Sequence, residues 1–562
     1  MLARLAWASL VLLAVWLAWP ALDPVHVEGF SASVVSLGLH VAQGTVAGFM
    51  PSAPFNADYF GLTKLGAVLG VAGLSPALGG DGAMRAIMVA SLVLLLGACA
   101  DLIRRWSEAP WIVVALVLLL VPGVTENAFF FNDNVPAAAL LVLGLAILDR
   151  AKSWPLALVA GLLIGAAVTV RTDVVLVAVA ATPLITLERQ GLRRAALSTI
   201  VAGLAAVVML FAVFASIHAN PLDAVHAGAR ANKLWDRPSS PLRAVFQLLC
   251  FCGGPGLALM LLGLSDLTKR RAWRTLALLV AAPLFFCAVL LGSLWESRQF
   301  LALAPFLGAL AARGARAAIA DVRGGRPVLA ACLAVFTLAV FLAPPGHPMI
   351  SDGPRLLIGR LWGVGLWTDW QAGVRRDVAV VEGVIASLPA GRPVAVLTDG
   401  WDDDRYLHLQ LVERGFRRTA LPFPCGPIGE GMRRGDRTLV QLTLLQSFVP
   451  YWPVLQSQRL EQGAVPCLTA VRPAEVILLG RKARIDALLH PHPGQRPLGP
   501  DLGATRTSPI VPVRLDASGL ARLGEAYSRE AAAMGGKRDW LEAQAAVVSQ
   551  TKFSRPASGS GF

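Results

Sequence analysis

The chain has 562 residues, 55% of them hydrophobic and only 15% charged, with a formal net charge of +14. Soluble domains carry about a quarter charged residues, so an ordinary soluble enzyme is excluded. The positive charge does not call for nucleic acid as a partner, because much of it falls in short loops between apolar runs, where membrane topology accounts for it.

Those runs approach the roughly 20 residues that cross a hydrocarbon core. They are Leu5–Pro20, Ala83–Ile103, Trp111–Val124, Val135–Leu148, Trp154–Val170, Val174–Leu187, Ala195–Ile217, Ala244–Leu264, Thr275–Leu294, Phe300–Ala312 and Pro327–Ala343. The chain reads as a polytopic α-helical membrane protein with about eleven transmembrane helices. Leu5–Pro20 follows Arg4 much as a signal peptide's apolar region would, yet no convincing small-x-small cleavage site follows it and further spans do, so it reads as a helix. Five basic clusters test the orientation: Arg104/Arg105, Arg150/Lys152, Arg189/Arg193/Arg194, Lys269/Arg270/Arg271/Arg274 and Arg313/Arg316/Arg323/Arg326. All fall on one side if the N-terminus is inside, and the positive-inside rule makes that side the cytoplasm. An odd count then puts the chain after Ala343 on the periplasmic face of an inner membrane. The third and fourth spans are short, and a re-entrant hairpin there would keep the same sidedness.

Beyond Pro344 the composition changes, and no run between Ile350 and Phe562 is long or apolar enough to cross again. Strands are expected at Arg392–Gly400, Thr438–Leu445 and Ala474–Gly480, and helices at Asp377–Leu388, Asp403–Arg414, Ala483–Leu489 and Leu520–Val548. The chain thus divides into a transmembrane module (1–343), an extracytoplasmic soluble α/β domain (344–552) and a disordered tail (553–562). Cys99, Cys250, Cys252, Cys287 and Cys332 lie in or beside spans and read as small apolar fillers. Cys425 and Cys467 are the pair in the exported domain, where an oxidising compartment would allow a disulfide.

The polar residues that could carry chemistry gather on the outer side. The loop after the first span holds Asp23, His26 and Glu28, then Asn56, Asp58 and Tyr59. FFFNDNVPAAALL puts Asn132, Asp133 and Asn134 at the mouth of a helix, and VTVRTDVVL puts Arg171 and Asp173 between two spans. HANPLDAVHAGARANKLWDRPSSPLR carries Asp223, His226, Arg230, Lys233, Asp236, Arg237 and Arg243, and LWESRQFLALAPFL adds Glu296 and Arg298.

Each also has a plain structural reading. Asp133 suits the positive end of a helix dipole. Arg171 and Asp173 could pair in a headgroup-level turn, the basic loop could touch the phosphates of membrane lipids, Glu296 and Arg298 could form a solvated ion pair, and Asp23 could be an exposed loop residue. Together they say more. Acids beside a basic loop on one membrane face suit an enzyme that binds a phosphate-linked lipid and activates a hydroxyl or amine. Arginine offers a planar fork to phosphate oxygens and lysine a point charge. A carboxylate takes the acceptor's proton as general base, and preplaced cations stabilise charge on the departing phosphate.

With these residues in view, the chain resembles the membrane glycosyltransferases of the GT-C class, especially the bacterial relatives of protein O-mannosyltransferases and the lipid A aminoarabinose transferase. The matching features are Asp23 just after the first span, the loop segment DYFGLTKLGAVLGVAGLSPA, and AMRAIMVASLVLLLGACADLIRR as a second span. NDNVPAAALLVLGLAIL, LALVAGLLIGAAVTVRTDVVLV and ESRQFLALAPFLGALAA continue the match, with Gln299 and Phe300 where an aromatic residue is commoner. The resemblance covers roughly Leu5–Ala312, and the loop PSAPFNADY lacks the tandem proline of the nearest relatives. It implies transfer of a sugar, with inversion, from a polyprenyl-phosphate-linked donor to a lipid, glycan or protein acceptor. Carried over, Asp23 is the catalytic base, Asp133 the second acidic residue of the site, and Arg171 or Arg298 a donor-phosphate contact. Glu28, Arg230, Lys233, Arg237 and Glu296 complete the expected substrate-binding set.

Two further features stay open in both directions. WDDDRY at Trp401–Tyr406 offers oxygen ligands that suit a hard divalent cation, and equally reads as an acidic helix cap after a strand. Trp362, Trp367 and Trp370 could stack on sugar rings or form an interfacial belt. The rival functional class is a transporter or flippase, or a non-catalytic partner subunit of a cell-envelope glycan pathway. A transporter would place its ionisable residues near the midplane between repeated halves, whereas here they cluster at one face and no repeat is evident.

Overall fold

The computed structural model describes residues 29–43, 57–121, 123–124, 131–234, 241–290, 297–321, 394–399, 417–418, 438–441, 475–490 and 508–533, with short runs between 376 and 387. The expected first and last spans, Leu5–Pro20 and Pro327–Ala343, lie outside them. Every span expected between Ala83 and Ala312 falls on a helix. In chain order these helices are α1 (Gly29–Ala42), α2 (Ala57–Thr63), α3 (Leu65–Ser107), α4 (Trp111–Leu120), α5 (Asn134–Arg150), α6 (Trp154–Val170), α7 (Val174–Arg189) and α8 (Leu192–Ala215). They continue with α9 (Pro221–Leu234), α10 (Pro241–Lys269), α11 (Trp273–Leu290), a 3-10 turn (Ser297–Leu303) and α12 (Ala304–Asp321).

Among the described residues, Leu65–Ser107, Leu192–Ala215, Trp273–Leu290 and Arg298–Ile319 are long and apolar enough to cross a membrane. The architecture is that of a polytopic helical membrane protein. α4 is shorter than its expected span, since its 10 residues rise only about 15 Å. The 43-residue α3 breaks at Gly79, whose φ of +72° is open to glycine and strained for other residues. Pro76, just before the break, supplies no backbone donor. α8 turns Leu197, Ile200, Leu204, Val208 and Phe211 outward at helical spacing, a face suited to lipid.

Phe131, Phe251, Phe286, Phe300 and Phe306 are fully buried in the bundle core, together with Cys99 and Cys252. Small residues bring helix backbones close: a Cβ on Gly161 or Gly165 of α6 would run into the backbone of Ala202 or Ala206 of α8.

One end of the bundle is an ion-pair lattice. Asp149, in the last turn of α5, accepts from Arg105, from the Trp106 indole at 3.0 Å and from Arg189 at 2.9 Å. Asp101 joins Arg105 and Arg150. Asp266 accepts from Arg270 at 2.7 Å and Arg313 at 2.8 Å, and Arg316 meets Glu108 at 2.7 Å. These arginines come from all five basic clusters of the sequence, so the clusters share one end.

The C-terminal region forms a five-stranded sheet from β1 (Val394–Asp399), β2 (Arg417–Arg418), β3 (Thr438–Gln441), β4 (Glu475–Arg481) and β5 (Ile510–Arg514), in the order β2-β3-β1-β4-β5. Its pairs are parallel except β4 with β5, where Gly480 lies opposite Val511. β1, β3 and β4 are the three strands expected from sequence. β4 is buried along VILLG, as a continuous apolar run in a parallel sheet should be, while β5 alternates. Of the expected helices, α13 (Lys482–Leu489) coincides and α14 (Ala517–Ala533) starts earlier than the expected Leu520, because Asp516 Oδ1 accepts the Gly519 backbone N–H at 2.7 Å and caps it. Asp403–Arg414, Cys425 and Cys467 lie outside the described residues.

Candidate active site

The site is built at the opposite end of α5. Asn132 Oδ1 accepts the backbone N–H groups of Asn134 at 3.1 Å and Val135 at 3.3 Å, satisfying donors that a helix start leaves open. Asn132, not Asp133, therefore caps the helix. That frees the Asp133 side chain to turn away from it.

Asp133 turns to two cations. Its carboxylate, 5% exposed, accepts from the Lys64 ammonium, and Arg171 Nη1 reaches both carboxylate oxygens at 3.2 Å. Lys64 sits between α2 and α3 and is itself buried. Arg171 ends α6 in extended conformation (φ −149°, ψ 122°), which sends its side chain off the helix axis. On its other edge Arg171 forms a two-point pair with Asp173, Nε to Oδ1 at 3.0 Å and Nη2 to Oδ2 at 2.6 Å. The two edges of one guanidinium thus join two acids, a geometry lysine cannot supply.

Asp133 lies in the turn ahead of its span. Burial pushes its carboxyl pKa up, but the fields of Lys64 and Arg171 outweigh burial and hold it well below the usual carboxylate range. An acid in that state is ionised at neutral pH and suited to holding cations in place.

Arg298, in the 3-10 turn, adds its positive field at Asp133, and Tyr59 of α2 lies within electrostatic reach of Arg171. Arg298 also lines a small cavity beside the cluster with Asn134, Arg171, Asp173, Phe286 and Gln299. Among the described residues, three cations (Lys64, Arg171, Arg298) and two carboxylates (Asp133, Asp173) gather next to that cavity.

α9 packs against α2, with Ala224 and Ala227 buried against Leu62, Leu65 and Phe214. It begins with a reciprocal cap around Pro221. Asn220 Oδ1 accepts the Leu222 N–H at 2.9 Å, and Asp223 Oδ2 accepts the Asn220 N–H at 3.1 Å. Asp223 is thereby accounted for as a capping residue. The segment read as a basic loop is helical through Leu234 and carries Arg230 and Lys233 towards its end.

Of the residues expected in the site, the structure brings together Asp133, Arg171 and Arg298, along with Asp173. Asp23, Glu28, Arg237 and Glu296 lie outside the described residues, as does the WDDDRY segment. Among the described residues no three His, Cys, Asp or Glu side chains converge as metal ligands. Sequence reasoning passed over Lys64. The available signal was its isolation, since it is the lone charge between Asp58 and Asp81.

No protein-family model matches the chain, and no curated protein matches it in sequence. Among solved structures it is similar to ArnT from Cupriavidus metallidurans bound to undecaprenyl phosphate, with a TM-score of 0.56 and 16% identity over 91% of this chain and 98% of that chain. The apo state of the same protein gives a TM-score of 0.54 at 16% identity, covering 92% of this chain and 99% of that one. The Archaeoglobus fulgidus oligosaccharyltransferase is more distant, with a TM-score of 0.44 and 10% identity over 86% of this chain and 70% of that one.

The chain shares the fold of ArnT, the fold that the sequence resemblance implied. Because the likeness to ArnT spans 91% of the chain, it extends past Ala312 into the C-terminal region, where no sequence motif could be matched.

Proposed function

We propose that this protein transfers a sugar from a polyprenyl-phosphate-linked donor to a lipid, glycan or protein acceptor at the periplasmic membrane face, with inversion at the anomeric carbon. The observation that carries this reading is the buried group Lys64–Asp133–Arg171–Asp173, with Arg298 beside it, in which acids hold cations in place next to a cavity. The likeness to a structure bound to undecaprenyl phosphate supports the donor class.

In this reading the donor phosphate lies against Lys64, Arg171 and Arg298. The acceptor oxygen or nitrogen attacks the anomeric carbon, the bond from that carbon to the phosphate oxygen breaks, and the electron pair leaves on the polyprenyl phosphate. Cations already fixed by Asp133 and Asp173 stabilise that charge without having to move. Asp23 takes the acceptor's proton as general base. Asp133 is the second acid of the site and positions Lys64 and Arg171. Glu28, Arg230, Lys233, Arg237 and Glu296 belong to the substrate-binding surroundings.

The topology proposed with it has about eleven spans. The Asp149 end is cytoplasmic, and the Asp133 end, with the α/β domain of 344–552, is periplasmic.

Radiolabel transfer from polyprenyl-phosphate sugars in membranes, comparing wild type with Asp23→Asn, tests the reading. Transfer lost in a folded Asp23→Asn protein that still binds donor supports the base. Equal activity moves that role to Glu28. Absence of transfer from every donor, in protein that binds polyprenyl phosphate, favours a flippase or partner subunit.

A further inference from the structure

Asn134 is the first residue of α5 and 5% exposed, yet its Nδ2 has no hydrogen-bond partner. Buried polar groups in folded proteins are nearly always paired, and a ligand atom is one physical reason for an exception. Asn134 lines the small cavity beside the cation cluster with Arg171, Asp173, Phe286, Arg298 and Gln299.

The cavity mixes two kinds of recognition. The guanidiniums of Arg171 and Arg298 suit phosphate oxygens. An amide donor beside a carboxylate acceptor suits a hydroxyl, which accepts one hydrogen bond and donates another. Phe286 closes the cavity on an apolar side.

We infer that Asn134 and Asp173 form the subsite for one hydroxyl of the transferred sugar, at a position that an ammonium would not fit. Asn134 Nδ2 donates to the hydroxyl oxygen, and the hydroxyl donates to an Asp173 oxygen. Each Asp173 oxygen accepts one bond from Arg171, at 3.0 and 2.6 Å, and keeps a lone pair for a second. An ammonium in the same place would face a donor amide and two guanidiniums, and would leave Nδ2 unpaired. The inference rests on the donor-phosphate reading above, which supplies the sugar's point of attachment.

The test uses the full chain in detergent, with binding followed by tryptophan fluorescence. The probes are undecaprenyl phosphate and its mannose, glucose and 4-amino-4-deoxyarabinose derivatives. A hexose donor is expected to bind at least about 5-fold more tightly than the bare lipid phosphate, the increment of one hydrogen bond or more. Asn134→Ala should erase that gain and still bind undecaprenyl phosphate within about 2-fold of wild type. Asn134→Leu, closer in volume, gives the same readout if the alanine variant unfolds. No gain from any sugar, or a gain that survives in the Asn134 variants, would overturn the subsite. Wild type that binds no undecaprenyl phosphate would overturn the phosphate reading itself, and the subsite with it.

Discussion

At the Asp149 end of the bundle, acids and bases close on one another: Asp149, 1% exposed at its side chain, is shared by two arginines and an indole, and Asp101, Asp266 and Glu108 each hold further arginines. At the Asp133 end, a buried acid holds two cations of different shape beside a cavity, with a third cation nearby. Both ends contain buried carboxylates, so burial and charge alone do not distinguish a lattice from a site. The difference lies in the cavity. The lattice arginines close on Asp149, Asp101, Asp266 and Glu108, whereas Arg171 and Arg298 line a small space together with Asn134, whose Nδ2 is left for something that arrives.

The largest expected effect comes from removing the acid that organises the cations. Asp133→Ala takes the carboxylate from buried Lys64 and should destabilise the protein by about 3–5 kcal/mol, with transfer abolished, as read from detergent unfolding midpoints and radiolabel transfer. Because the folded carboxyl lies below the roughly 3.9 of an unfolded aspartate, its contribution is present above about pH 4 and is lost as pH falls through the lower folded value. Unfolding midpoints should therefore show no step from Asp133 between about pH 5 and pH 8. A step in that window, absent from Asp133→Asn, would mean that the two cations do not hold it.

Next come the cations themselves. Lys64→Met and Arg171→Met should each weaken undecaprenyl phosphate binding by roughly 2 kcal/mol or more, about 30-fold, and Arg171→Lys should recover little, because it cannot bridge two acids. Unchanged affinity in both methionine variants would reduce the Asp133 end to a second lattice.

Smaller, and different in kind, is Asp149→Asn. It should lower stability by about 1–3 kcal/mol while leaving donor affinity and turnover per folded molecule unchanged. A change in donor affinity would show that the two ends are coupled. Smallest is Glu108→Gln, which removes a pair on a largely exposed side chain and should shift stability by no more than about 0.5 kcal/mol.

Much of this was legible in the sequence, for separable reasons. The helices between Ala83 and Ala312 follow from apolar length, and the shared end of the five basic clusters follows from their sidedness. β4 follows from an uninterrupted apolar run. Asp133, Arg171 and Arg298 could be singled out because charge beside an apolar span is conspicuous. The contact between Asp133 and Arg171 could not be read, since it joins side chains 38 positions apart through the extended end of α6. Lys64 was hidden for the opposite reason: one lysine in an apolar stretch reads as a side chain reaching for the headgroups. Only the packing of α9 over α2, and of α5 against α3, shows how that neighbourhood is enclosed. The capping role of Asn132 was equally invisible, because Asn132 and Asp133 are both good helix starters and sequence does not decide between neighbours.

α5 carries a buried carboxylate at each end, Asp133 in the turn before its first residue and Asp149 in its last turn, about 24 Å apart along the axis. The helix therefore acts as a keyed shaft, whose angular setting at one end fixes the setting at the other. One residue added in its middle would turn the ends by about 100° relative to each other. With Asp149 seated between Arg105 and Arg189, Asp133 would then point away from Lys64, and an unaltered set of side chains would no longer make a site.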